Sequence, residues 1–181
     1  MARARYTTVA IVLHWAIAVL VPCGFALGLY MVDLAFGPRK LTLYSYHKWI
    51  GVTVFALAAA RVGWRFAHRP PPLPPTVARW QAAASRAVHF LLYACLLAAP
   101  LSGWLYSSAS GVPTVPFGVA ALQLPDLVTK DRELATALKF VHLTAVWFLA
   151  ALVVVHVAAA LKHQFVDGDG IIGRMLPGRS A

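Results

Sequence analysis

Five of the chain's seven histidines, His14, His47, His89, His142 and His156, stand inside long apolar runs. An ionisable side chain in hydrocarbon costs a few kcal/mol unless something inside the protein satisfies it, so such residues are candidates for chemistry before packing. His142 and His156 share one run, FVHLTAVWFLAALVVVHVAAALKHQ, fourteen residues apart. On a helix that spacing falls within roughly 40° of four full turns and separates the two by roughly 21 Å. Neither a pair of histidines at i and i+4 nor a C-x-x-C motif occurs, so two separate sites on one helix are expected rather than one compact metal centre.

Depth sorts the histidines further. Counted from the ends of the apolar runs, His14 is six residues past Thr8 and His156 six before Lys162; His47 is four past Leu43 and His142 four past Leu138. Two depth-matched pairs result, and the last run contributes one member to each. A group that takes two imidazoles from facing helices, and is itself large and apolar enough to fill a bundle, is haem. Bis-histidine iron is coordinatively closed and favours electron transfer over oxygen binding. Copper or zinc would be expected to bring cysteine, methionine or carboxylate partners, which the runs offer sparingly. His89, eight residues past Gln81, lies at nearly the depth of His14 and competes with it as the partner of His156; depth alone leaves both open. His68 reads as a loop residue.

The elements that must position these groups follow from hydropathy. Over 181 residues the chain is 60% hydrophobic and 12% charged, with a mean hydropathy of +0.70, beyond the range of an ordinary water-soluble domain. Four apolar stretches reach spanning length, about 20 residues, at 9–31, 43–66, 82–106 and 138–162. The expected fold is an all-α membrane protein, one four-transmembrane-helix bundle over residues 1–181 enclosing two haems. The first stretch follows Arg3 and Arg5 as a signal peptide would, yet it is too long for an h-region and lacks a small-residue cleavage site, so it is expected to remain. Within it Gly24 and Gly28 form a small-xxx-small step at which another helix can approach closely.

Orientation comes from the flanks. Arg3, Arg5, Arg61, Arg65, Arg69, Arg79, Arg86, Lys162, Arg174 and Arg179 fall on the side of the termini, against Arg39, Lys40, Lys48, Lys130, Arg132 and Lys139 on the other. Ten cations against six predict both termini in the cytoplasm. The net charge of +10 therefore reads as flanks that meet anionic lipid, and nucleic acid is set aside as a partner. Cys23 and Cys95 lie within spans and imply neither a disulfide nor a redox motif.

Two connections are informative. HRPPPLPPTVARW, residues 68–80, is dense enough in proline to hold polyproline II, as a rigid strap or as one wall of a small-molecule pocket at the membrane surface. The connection 107–137 shows little periodicity until DRELATALKF, from Asp131, which predicts a short helix able to cap that end of the bundle.

The segments VLHWAIAVL, YHKWIGVTVFALAAARVGWRF, HRPPPLPP, AVHFLLYACLLAAPLSGWL and VHVAAALKHQF together resemble the prokaryotic cytochrome b561 family of four-helix dihaem proteins, nearly end to end. The resemblance implies two b-type haems per chain, ligated by His14, His47, His142 and His156, and so selects His14 over His89. It implies a multi-pass protein of the bacterial inner membrane that passes electrons between membrane quinone and a redox partner. One branch of the family oxidises superoxide at the outer face and reduces ubiquinone. On that reading Lys48, next to one ligand, and Lys139, three residues before another, are expected to steer superoxide. Ordinary interfacial lysines, beside four outer acids, are the competing explanation. His163, seven residues beyond His156 and on its face, matches a histidine near the quinone site of the resembling proteins. Imidazole titrates near neutral pH and suits proton delivery to quinone, with Lys162, Arg69 and the proline strap as expected neighbours. The alternative is an anchor subunit that exchanges electrons between quinone and a docked dehydrogenase or hydrogenase. A haem-free transporter would need a polar path through the bundle, and the runs hold few polar groups besides the histidines.

Overall fold

The computed structural model describes residues 5–74 and 76–176. Four long helices account for most of them: α1 (Thr8–Val32), α2 (Pro38–Ala67), α3 (Arg79–Ala109) and α4 (Arg132–Lys162). No strand forms among the described residues; Thr114 and Leu124 make one isolated antiparallel bridge. At about 1.5 Å per residue each helix exceeds the roughly 30 Å of a hydrocarbon core. The chain folds up and down, so that the start of α1, the end of α2, the start of α3 and the end of α4 share one end of the bundle, the terminal end. The other, the loop end, holds residues 33–37 and 110–131.

All four helices run past the apolar stretches that announced them, because hydropathy marks where the solvent changes while capping and backbone hydrogen bonds decide where a helix stops. Pro38 sits in the first turn of α2, where its missing N–H is not needed. DRELATALKF is the first turns of α4 itself rather than a separate short helix. Asp131 caps it, with Oδ1 accepting from the N–H groups of Glu133 and Leu134 at 2.8 and 2.9 Å. Capping of the loop end falls to the irregular segment before it. There Trp49 Nε1 donates to the Val115 carbonyl at 2.8 Å and Trp104 Nε1 to that of Pro125 at 3.0 Å.

The terminal end is closed differently. The proline-rich strap after α2 takes no regular secondary structure over residues 69–74, and Arg174 Nη1 donates to the Pro72 carbonyl at 2.6 Å. The tail that carries Arg174 also accepts from Trp15 Nε1 at the Met175 carbonyl, 2.7 Å, from the Tyr6 N–H at the Arg174 carbonyl, 3.3 Å, and from Arg5 at the Leu176 carbonyl.

The interior is small and apolar: Ile17, Val54, Ala58, Cys95, Leu96, Leu149 and Leu152 form one buried layer. Large apolar side chains cover the outside instead, Phe90 and Phe140 each being 72% exposed. That surface demands lipid, since an apolar coat of this extent has no place in water.

Candidate functional site

α4 is the element shared by both candidate sites, and its two histidines meet partners at opposite ends of the bundle. His142 faces His47 of α2 with ring centres 6.2 Å apart and planes at 89°. His156 faces His14 of α1 at the same 6.2 Å and at 85°. The buried apolar layer of Leu149, Leu152, Ile17 and Val54 lies between the two levels.

At the loop end, backbone carbonyls fix the rings. His47 Nδ1–H donates to the Gly24 carbonyl at 3.1 Å and His142 Nδ1–H to the Ala99 carbonyl at 2.9 Å. A carbonyl only accepts, so both rings are protonated at Nδ1 and keep the Nε2 lone pair for a metal. Glycine makes room for each ring. A Cβ at Gly28 would stand 3.2 Å from His47 Cε1, and one at Gly103 would stand 3.0 Å from His142 Cε1. Ser102, whose hydroxyl donates to the same Ala99 carbonyl at 2.8 Å, lies 3.3 Å from His142 Nδ1. At the terminal end the His14 ring leans on Trp15, with centres 5.3 Å apart.

Whether these residues suit a haem can be asked of the distances. Two metal–imidazole bonds of about 2 Å each, with the half-widths of two five-membered rings, sum to roughly 6 Å between centres. Both pairs fit. His89 approaches the His156 ring more closely, at 5.2 Å, short of the roughly 6 Å that two metal bonds need, and although its Nδ1 donates to the Ser85 carbonyl at 2.6 Å as the loop-end rings do to theirs, the distance suits a neighbour better than a second ligand. The close backbone packing runs α1 with α2, α2 with α3 and α3 with α4; the imidazole pairs instead join α4 to α1 and α2, where the backbones stand farther apart. The donor set is imidazole alone, without carboxylate or thiolate, as a macrocycle-held iron takes it.

The sequence profile of prokaryotic cytochrome b561 matches residues 5–178. The chain belongs to that family. It is 34% identical over 173 residues to "Cytochrome b561 homolog 2" of Escherichia coli K12, covering 95% of this chain and 91% of the relative. It is 26% identical over 179 residues to "Cytochrome b561 homolog 1" of the same organism, covering 97% and 98%. A third relative, "Probable superoxide oxidase CybB" of Yersinia pestis, is 25% identical over 181 residues, 96% of each chain. A cytochrome b561 chain is a multi-pass membrane protein of redox function, and the family implies b-type haem.

The structure distributes the remaining candidates unevenly. Lys48, half-buried, donates from Nζ to the carbonyls of Val112 and Pro113 at 3.2 and 3.1 Å and so ties α2 to the loop. Lys139 is exposed on α4. His163 opens a π-helical turn, His163–Asp167, after α4, and donates from Nδ1 to Asp169 Oδ2 at 2.6 Å, with Asp167 Oδ2 at 3.2 Å. Asp167 is itself held by Lys162 at 2.7 Å. These groups line a cavity of about 320 Å³ together with Thr76, Val77 and Gln81, so the end of the proline strap does form a pocket wall. Asp169 escaped the sequence argument, although D-x-D just past a histidine was a usable signal. The carbonyls of Gly24 and Ala99 escaped as well, and no residue type announces a carbonyl.

Proposed function

We propose that this chain carries electrons across the membrane from superoxide at the loop end to ubiquinone at the terminal end. Haem held by His47 with His142, and by His14 with His156, would supply the one-electron redox chemistry. The observation that carries the reading is the pair of matched imidazole gaps, both 6.2 Å, on one helix with an apolar layer between them. The relative named as a probable superoxide oxidase supports superoxide as the donor.

The balance is simple. Two superoxide ions each give up one electron and leave as dioxygen; one ubiquinone takes two electrons and two protons and leaves as ubiquinol. No acid or base is needed at the loop end, where Lys48 and Lys139 draw the anion in by charge. Protons matter at the other end. There His163, held through Nδ1 by Asp169, would carry a second proton on Nε2, give it to a quinone oxygen in the cavity beside Thr76 and Val77 and take its replacement from solvent at that end. The ten-to-six count of cations supports that end as the cytoplasmic one, with the loop end on the outer face of the inner membrane.

The test is a pyridine-haemochrome assay on the detergent-purified protein, followed by reduced-minus-oxidised spectra after a superoxide pulse and again after a soluble ubiquinone. Two b-type haems per chain, reduced by the pulse and reoxidised by quinone, are expected. Haems that ignore superoxide would move the donor to a docked dehydrogenase or to quinol; a colourless protein would refute the ligand assignment.

A further inference from the structure

The acidic residues of the chain are Asp33, Asp126, Asp131, Glu133, Asp167 and Asp169, so residues 34–125 contain no carboxylate side chain. Yet α2 carries Arg61 six residues inside its terminal-end boundary, about 9 Å from its last residue. Its Nη1 donates to the Ala10 carbonyl of α1 at 2.6 Å and its Nε to the Tyr93 hydroxyl of α3 at 3.1 Å. Both partners are neutral. Ala10 lies one turn before His14 and Tyr93 one turn after His89, so the guanidinium stands at the level of the His14–His156 pair. One turn along α2, Arg65 holds its guanidinium 5.8 Å from the centre of the same Tyr93 ring.

Among the described residues, no carboxylate is ion-paired with Arg61 or Arg65. A guanidinium within a span that meets only neutral groups is costly, and such charges persist where they serve a ligand. Three donor groups therefore gather around one ring: the Arg61 guanidinium 6.0 Å and the Arg65 guanidinium 5.8 Å from its centre, and the Tyr93 O–H itself, whose oxygen accepts from Arg61. Two guanidinium groups and a phenol, with no carboxylate paired to either arginine and beside the His14–His156 pair, make an oxyanion site.

We infer that Arg61, Tyr93 and Arg65 bind an anionic oxygen group at the rim of the His14–His156 level. Two sources offer that chemistry there: the carboxylate side arms of a b-type haem, and the headgroup phosphate of membrane lipid. The carboxylate source rests on the haem reading proposed above; the phosphate source does not.

The test is resonance Raman spectroscopy of the purified holoprotein in the propionate-bending region, with bound phospholipid phosphorus assayed on the same samples. The variants are Arg61→Gln, Arg61→Lys and Tyr93→Phe, with Arg86→Gln as a charge control at the same end of the bundle. A shift of the bending bands in Arg61→Gln, smaller in Tyr93→Phe and absent in the control, supports the site with a haem carboxylate in it. Unshifted bands with loss of bound phosphorus support the site with a lipid phosphate in it. Unchanged bands and unchanged phosphorus in Arg61→Gln and Tyr93→Phe together would overturn it. Arg61→Lys keeps the charge without the fork and is expected to shift the same reading partway, which preserves the test should the glutamine variant not fold. Neither superoxide nor quinone enters these readings, so failure of the proposed donor would leave their result untouched.

Discussion

Gly24 and Ala99 lend carbonyl oxygens to His47 and His142 from two different helices, and those contacts set what each imidazole can do. A ring locked as the Nδ1–H tautomer is a ready Nε2 ligand, so removal of either ring should empty the loop-end site alone. Alanine at His47 or His142 is expected to lower haem from two to one per chain by pyridine haemochrome. Alanine at His14 or His156 should empty the other site, while His89→Ala should keep both. Ring orientation gives a second, independent check. Two imidazoles that held one ferric iron with their planes as near perpendicular as the 89° and 85° of these pairs would give a strongly anisotropic low-spin signal, whereas parallel planes would give an ordinary rhombic one. Electron paramagnetic resonance of the oxidised protein should show the anisotropic form at both sites. Gly103→Val adds bulk where even a Cβ would stand 3.0 Å from His142 and should disturb the loop-end signal first. At this scale the histidines were legible because type, depth and spacing are all written in the sequence. Depth and spacing left His14 and His89 open, and it was the resemblance that implied His14; in the structure the facing of α1 and α3 toward α4 sets their ring centres 6.2 Å and 5.2 Å from that of His156.

Helices supply that facing, and their ends show what hydropathy leaves unread. The apolar stretches located all four helices, but α4 begins at Arg132, six residues before its apolar stretch, because the Asp131 carboxylate satisfies two N–H groups that would otherwise be unpaired. Asp131→Ala is expected to cost about 1 kcal/mol and to lower the thermal midpoint of the detergent-solubilised protein, followed by helical circular dichroism. The initial turns of α4 should fray while the span itself persists. The strap and tail form the other element-scale device. Proline density marked the strap as a segment without helix or strand, yet nothing in the sequence announced that Arg174 would hold it through the Pro72 carbonyl, since a contact to a backbone oxygen leaves no mark on residue type. Arg174→Ala is expected to release the tail from the strap, raising protease sensitivity after α4 and slowing quinone-side reoxidation severalfold. The superoxide-driven reduction should stay unchanged. Equal slowing of both half-reactions would argue that the tail stabilises the bundle as a whole.

For the whole molecule the question is how far charge organises traffic between the two ends. The loop end carries six cations, Arg39, Lys40, Lys48, Lys130, Arg132 and Lys139, against four acids, Asp33, Asp126, Asp131 and Glu133, a net of two positive charges (6 − 4 = 2). Several of the cations are already engaged: Arg39 Nη2 donates to the Tyr30 hydroxyl at 2.7 Å and Lys40 Nζ to the Leu34 carbonyl at 2.7 Å. Those bonds hold the charges in place without neutralising them, so a modest positive field faces solvent while the exposed Lys139 adds a movable charge. Screening shortens such a field from about 10 Å at 0.1 M salt to about 3 Å at 1 M. The second-order rate of reduction by superoxide should therefore fall as salt rises, but within about tenfold, the low end of what steering achieves. Lys139→Gln is expected to lower the low-salt rate severalfold and to flatten the salt dependence. Lys48→Gln should act differently, because its Nζ is committed to Val112 and Pro113 and its loss loosens the loop over the bundle as well as removing a charge. Stopped-flow reduction across salt concentrations separates the two. A rate indifferent to salt in the wild-type chain would remove the steering role from both lysines and leave the half-buried His47–His142 pair as the sole basis proposed for reaction at that end.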